Sequence, residues 1–220
     1  MVEGFRAWAA RYLDRLSRPF LPWSPDRLSG ISLMLSLLGG AFAASARWIG
    51  APIFLLVAFL IFFGGVFDVL DGEVARRTGR SSPRGDLLDH VFDRYADLAI
   101  VLGIAASGYA DPILALLALV SLLLTSYMGT QAQAVGSVRL YRGLLTRADR
   151  LILLTFGTFL LGDLALPWPW APTAPFVRLS LAGVGFTVLD VVLAWFVIAG
   201  QWTALSRAWS TYRALPASPR

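Results

Sequence analysis

Four aspartates in this sequence are spaced to act together. Asp68 and Asp71 are three residues apart, and Asp89 and Asp93 are four apart. At about 100° per residue, each pair falls on one face of an α-helix, separated by about 60° and about 40°. Four carboxylates in one place repel, and several would stay protonated unless positive charge sat among them. Arginine could supply that charge. So could Mg²⁺, Mn²⁺ or Ca²⁺, whose ordinary ligands are clustered carboxylate oxygens. Two such ions would clamp a diphosphate and stabilise charge on both the attacking and the leaving oxygen. The plainer alternative is a buried acid–arginine network that only supports helix packing.

The elements that must hold these acids are membrane helices. Of 220 residues, 57% are hydrophobic and 15% charged, against an ordinary ~45–50% and ~25%. With a mean hydropathy of +0.66, the chain has too few charges to cover a soluble domain of its length. Disordered, coiled-coil and collagen-like chains are excluded too. The absence of cysteine removes disulfide scaffolds, thiolate zinc sites and cysteine nucleophiles. Apolar stretches run at about 28–46, 51–71, 85–108, 112–134, 151–166 and 176–198. Each is near the ~20 residues that cross a ~30 Å hydrocarbon core. A spanning segment must satisfy its own backbone, so the expected fold is all-α with six transmembrane helices. In the third stretch only residues 98–110 are free of charge. Its helix must start earlier and carry Asp89, Asp93, Arg94 and Asp97 into or near the membrane.

Residues 1–22 intersperse Arg6, Arg11, Arg15 and Arg18 with Phe5, Trp8, Tyr12 and Leu13. They lack the unbroken apolar core of a signal peptide and read as an amphipathic helix on the membrane surface. Residues 23–220 then form the six-helix domain. All 19 basic residues are arginine. Coding bias explains that choice, but it leaves no lysine for Schiff-base or general-base work, and any phosphate must be held by guanidinium. Sixteen arginines fall on one side of the six helices, only Arg47 and Arg178 on the other, and Arg94 within a helix. The positive-inside rule then makes the protein a multi-pass cell-membrane protein, with both termini and the acidic helix ends facing the cytoplasm. Trp48, Trp168 and Trp170 on the sparsely charged side read as an interfacial aromatic belt.

The residues between the acids narrow the chemistry. The pattern Asp68-x2-Asp71-Gly72-x2-Ala75-Arg76-x8-Gly85-x3-Asp89-x3-Asp93 resembles the signature of the CDP-alcohol phosphotransferase family. Eight fixed residues would coincide by chance on the order of 10⁻¹⁰ per starting position. The six-helix layout and the amphipathic N-terminal helix are similar to the family across nearly the whole chain. The resemblance implies that Asp68, Asp71, Asp89 and Asp93 ligate two divalent ions, Mg²⁺ or Mn²⁺, with Asp93 also the general base. It implies that Gly72, Ala75 and Gly85 line a cytidine pocket, where small residues let a flat nucleotide approach the backbone. Arg76 would contact the nucleotide or its diphosphate. Ser82, Asp26, Arg27 and Ser29 fall where family members contact the CDP-lipid. Pro25-Asp26-Arg27-Leu28-Ser29 resembles the family's Pro-Asn-x-x-Ser/Thr opening of helix one, with Asp in place of Asn. The implied reaction transfers a lipid phosphate from a CDP-activated lipid to an alcohol acceptor, releasing CMP in phospholipid biosynthesis. The implied assembly is a homodimer, and no nucleic acid is a partner.

Two readings of the remaining arginines stay open. Arg139, Arg142, Arg147 and Arg150 form a basic loop on the acidic side, and Arg207 follows helix six. They are either a topology signal alone or a pocket for an acceptor that itself carries phosphate. Residues 143–151 and Arg207 resemble the inositol-phosphate and related branch of the family. That branch carries basic residues after the equivalents of Ser126 and Tyr127, where this chain has Gly129, Thr130, Gln131, Ala132 and Gln133. Glycerol phosphate, serine or another alcohol remain alternative acceptors, and diacyl and ether-lipid donors are both compatible. Two other classes compete. Intramembrane prenyltransferases also use aspartates and Mg²⁺, but in two widely separated motifs. Ion-coupled transporters place acids near mid-membrane on broken helices.

Other polar residues carry quieter expectations. His90 is expected beside the acids without ligating. Asp97 either extends the site or pairs with Arg94 or a hydroxyl. Glu73 is expected to be solvated. Asp190 is expected to sit within helix six, paired with a donor from another helix. Phe54, Phe59, Phe62, Phe63 and Phe67 should face lipid or core. Gly39, Gly40, Ala43, Ala44, Ala115 and Ala118 would permit close helix contacts, between protomers or within one.

Overall fold

The structure is a computed structural model that describes residues 13–136, 143–167, 179–181 and 184–215. Residues 1–12 of the amphipathic segment, together with Arg139, Arg142, Trp168, Trp170 and Arg178, lie outside the described residues. Residues 13–17 are helical and pass into a 3-10 turn at Arg18–Phe20. Six long helices follow: α1 (Pro25–Ile49), α2 (Phe54–Thr78), α3 (Pro83–Ala106), α4 (Pro112–Ala134), α5 (Arg147–Leu164) and α6 (Val188–Ala214). Four of them, α1, α2 (counted from Ala51), α4 and α6, are long and apolar enough to cross a membrane. The two that fall short, α3 and α5, carry Asp89, Asp93 and Arg147 of the acidic end, whose other acids, Asp68 and Asp71, lie on α2.

Helix boundaries follow local chemistry. Proline opens α1, α3 and α4 at the first turn, where its missing N–H costs nothing. The Ser82 hydroxyl caps α3 by accepting from Gly85 N at 3.1 Å. Gly79 ends α2 in the left-handed region, at φ 67°, and turns the chain toward α3. Thr146 and Asp149 form a capping box at the start of α5.

The sixth apolar stretch behaves differently from its expectation. Leu179–Leu181 and Val184–Phe186 form a short antiparallel strand pair, and α6 begins only at Val188 and extends to Ala214. Asp190 is therefore within α6, as expected, but near its start, and it is paired with a donor at the start of another helix. It sits in the first turn, where Thr187 N donates to its Oδ2 at 2.8 Å and Asp111 N donates to Oδ1 at 2.7 Å. It secures the start of α6 against the start of α4.

The main packing partners close a ring in the order α1, α2, α5, α6, α4, α3 and back to α1. Although α2 and α3 are consecutive, they pack on α1 rather than along one another. The α1–α3 contact is backbone to backbone: a Cβ on Gly103 would come within 2.1 Å of Gly40 O, and one on Gly40 within 2.2 Å of Ala99 O. Gly39, Gly40, Ala43, Ala115 and Ala118 are all buried within the chain, so these small residues serve internal packing. The core runs through Phe54, Ile61, Ile104, Leu122, Leu154 and Phe196, while Phe59 and Phe62 remain exposed. A smaller apolar cluster of Leu28, Leu70 and Val74 sits near the acids.

Candidate active site

Three of the four motif aspartates converge. Asp68, Asp71 and Asp89 each offer a carboxylate oxygen, and these atoms lie within 4.8 Å of one another. Hard divalent cations take such oxygen-only sites, so the donor set fits a metal ion. Asp71 is buried and accepts from Ser29 Oγ at 2.5 Å. Asp93 stands beside the trio. Arg147, the first residue of α5, pairs with both Asp68 and Asp93 and approaches Asp89 at 3.5 Å. Acidic pairs from α2 and α3 thus meet across the ring, with an arginine from α5 between them.

A cavity of about 560 Å³ opens on one side of these acids. Gly72, Ala75, Arg76, Ser82, Gly85, Asp26 and Ser29 all line it. Arg27 does not, and is exposed on the first turn of α1. A Cβ at Gly72 would meet only Arg76 Nη1 at 3.4 Å, and one at Gly85 only Ser82 Oγ at 3.4 Å. Both neighbours line the same cavity, so helix packing does not demand glycine here. Arg76 binds Glu73 at 2.8 Å, and Arg77 binds the same carboxylate at 2.7 Å. Glu73 is ion-paired rather than simply solvated. Arg77 also reaches Asp14 in the N-terminal segment.

A second cavity, of about 570 Å³, lies on the other side. Arg147, Arg150 and Arg207 line it with Asp89, Asp93 and Arg94. Arg150 is buried and paired with Asp97, and Arg207 Nη1 donates to Thr125 O at 2.7 Å. The loop before α5 is tied down because Leu144 N and Leu145 N donate to Thr203 Oγ1 of α6 at 3.1 and 3.3 Å. His90 stays off the trio, with Nδ1 at 3.7 Å from Asp89. Sequence spacing alone did not show Ser29 holding Asp71 or Asp97 holding Arg150. Asp97 does follow Asp93 by one helical turn, which was the available hint.

Asp89 and Arg147 belong to both cavities. A third, apolar groove of about 900 Å³ runs between α2 and α5 past Leu13 and Leu16. It shares Val69, Ala148 and Leu151 with the glycine-lined cavity. A polar chamber at the acidic helix ends, continuous with an apolar groove, can accommodate a headgroup and tails together.

Comparison with known proteins agrees with this geometry. The family model for CDP-alcohol phosphatidyltransferase matches residues 24–174. The archaetidylinositol phosphate synthase of Methanothermobacter thermautotrophicus is 33% identical over 198 residues, covering 89% of this chain and 94% of that protein. The phosphatidylinositol phosphate synthase of Cutibacterium acnes is 31% identical over 160 residues, covering 69% and 74% respectively. Two crystal structures of the Mycobacterium tuberculosis phosphatidylinositol phosphate synthase share the fold at 24% identity. The one with CDP-DAG bound has a TM-score of 0.71, covering 96% of this chain and 98% of that one. The one with manganese and citrate has a TM-score of 0.73, covering 94% and 92%. Motif, matched span and fold agree: the chain is a membrane transferase belonging to the CDP-alcohol phosphatidyltransferase family.

Proposed function

We propose that this protein transfers a lipid phosphate from a CDP-activated lipid, CDP-diacylglycerol or CDP-archaeol, to a phosphorylated alcohol of the inositol phosphate type, with release of CMP. The observation that carries this reading is the pair of polar cavities meeting at Asp89 and Arg147, one lined by the motif glycines and the other by arginines. The donor's cytidine and diphosphate would occupy the first, with its tails in the apolar groove between α2 and α5. The acceptor would occupy the second. The relatives named as archaetidylinositol and phosphatidylinositol phosphate synthases support a phosphorylated acceptor.

Asp68, Asp71, Asp89 and Asp93 would hold two divalent ions, Mg²⁺ or Mn²⁺. Bound there, such ions supply neutralisation of charge on the transferring phosphoryl group. Asp93 faces the acceptor cavity, so its carboxylate would take the hydroxyl proton. The freed oxygen attacks the phosphorus bearing the lipid, the bond to the bridging diphosphate oxygen breaks, and CMP departs. Arg76 would hold the diphosphate. Arg147, Arg150 and Arg207 would hold the acceptor's phosphate.

The proposed topology has six membrane helices, with both termini and the acidic end in the cytoplasm of a cell-membrane protein and residues 1–22 lying on the surface. The proposed assembly is a homodimer with one complete site per protomer. Crosslinking in bilayers that traps only monomer would refute the dimer. For the reaction, purified protein with divalent metal and CDP-lipid should release CMP with inositol 1-phosphate and far less with serine or glycerol phosphate. CMP release with an uncharged alcohol, and none with any phosphorylated one, would sink this assignment.

A further inference from the structure

Arg94 was not among the residues assigned to the acceptor, yet it faces the same cavity. It belongs to α3, directly after Asp93, and lines the chamber with Arg150 and Arg207. Its Nη1 lies 3.5 Å from Asp97 and its Nη2 lies 3.6 Å from Asp93. Both distances exceed hydrogen-bond length, so the carboxylates neutralise the guanidinium without accepting from it. Its Nε and Nη1 are buried and have no hydrogen-bond partner. Leaving buried donors of a charged group unmet is costly, and retained examples call for an explanation.

The neighbours show what would satisfy it. Asp97 is already committed to Arg150. Arg207 is anchored on the Thr125 carbonyl. Three helices therefore present guanidiniums to a single chamber, Arg94 from α3, Arg147 and Arg150 from α5 and Arg207 from α6, and the α3 member retains unmet donors. An anion with several acceptor oxygens suits that arrangement, and guanidinium is the group best matched to phosphate.

We infer that Arg94 is an acceptor-binding residue, a guanidinium that joins Arg147, Arg150 and Arg207 in gripping the phosphate of the incoming alcohol. The inference rests on the proposed function, because it needs a phosphorylated acceptor. It also places a phosphate-holding group one residue from the proposed base, so the same turn of α3 would align the hydroxyl with Asp93.

The test is steady-state CMP release by the full-length purified protein with Arg94→Gln and Arg94→Lys, varying inositol 1-phosphate and CDP-lipid separately. Arg94→Gln should raise the KM for inositol 1-phosphate about 10- to 100-fold, the effect of losing a charge-assisted contact. The KM for CDP-lipid should move less than about twofold. Arg94→Lys, which keeps the charge beside Asp93 and Asp97 but not the planar donors, should show a smaller rise in the acceptor KM. An acceptor KM unchanged in both variants overturns the inference, as does a fall in kcat that accompanies equal changes in both KM values. If Arg94→Gln does not fold, an unchanged acceptor KM in Arg94→Lys overturns it alone. A wild-type protein that uses only unphosphorylated alcohols refutes the proposed function itself and takes this inference with it.

Discussion

Ser29 of α1 donates a 2.5 Å hydrogen bond to Asp71 Oδ2 of α2. Both side chains are buried, and Ser29 is also 3.2 Å from the Pro25 carbonyl. A hydroxyl from one helix thus orients a carboxylate of the next within the proposed metal cage. Ser29→Ala should raise the metal concentration for half-maximal activity roughly 10- to 100-fold, as loss of such outer partners does elsewhere. A Mn²⁺ titration of CMP release reads this directly, and an unshifted midpoint would deny Ser29 that role.

Removing a charge from the cage should be more severe. Asp68→Asn, Asp71→Asn and Asp89→Asn are each expected to abolish CMP release and metal binding. Asp93→Asn should leave CDP-lipid binding largely intact while removing turnover. Wild-type turnover that survives exhaustive chelation would contradict the metal mechanism, and turnover by Asp93→Asn would assign the base elsewhere.

The arginines should separate by position. Arg207 lines the arginine-rich cavity and donates to the Thr125 carbonyl. Arg207→Ala should raise the acceptor KM roughly 10- to 150-fold, corresponding to ~1.5–3 kcal/mol, with little change in the KM for CDP-lipid. Arg147 pairs with Asp68 and Asp93 and lines both cavities. Arg147→Ala should therefore disturb kcat and both KM values together. Identical kinetic profiles for the two variants would argue against two adjoining cavities.

The α1–α3 contact predicts a loss of stability. Gly103→Ala sets a methyl within 2.1 Å of Gly40 O, and backbone cannot yield as a flexible side chain would. Prying α1 from α3 should cost about 1–3 kcal/mol and displace Asp89 and Asp93 on the same helix. A lower melting temperature and reduced activity are expected together. A fully stable Gly103→Ala variant would mean that the helices are less tightly apposed.

The N-terminal segment should respond to pH. Hydrogen bonds from Arg77 and then Arg18 hold the Asp14 carboxyl below its ordinary value of 3.8. The latch is therefore complete above that value and is lost as pH falls below it through the lowered one. The chain has no cysteine, so a spin label at Arg15→Cys reports on this segment alone. The label should be ordered at neutral pH and loosened by acid below 3.8 or by Asp14→Asn. Indifference to Asp14→Asn would show that the ion pair does not hold the segment.

Local spacing determined much of this protein before any folding was considered. The four aspartates, the two motif glycines, six apolar stretches and the lopsided arginines depend only on neighbours in the chain. They led correctly to a helical membrane transferase, and Gly72, Ala75 and Gly85 do line one cavity beside the acids. The start of α6 was legible too. Thr187 and Asp190 spell a capping box, but the run from 176 onward is mostly apolar on both sides of it, and apolar composition cannot tell a strand pair from a helix. Tertiary structure alone decided the rest, because it depends on which helices become neighbours. Closing the ring brought α1 between α2 and α3, which set Ser29 against Asp71. It also turned Arg94, Arg150 and Arg207, separated by more than a hundred residues at their extremes, into one chamber wall. No periodicity within a single helix carries that information, since a charged side chain's partner is chosen by helix packing across the bundle.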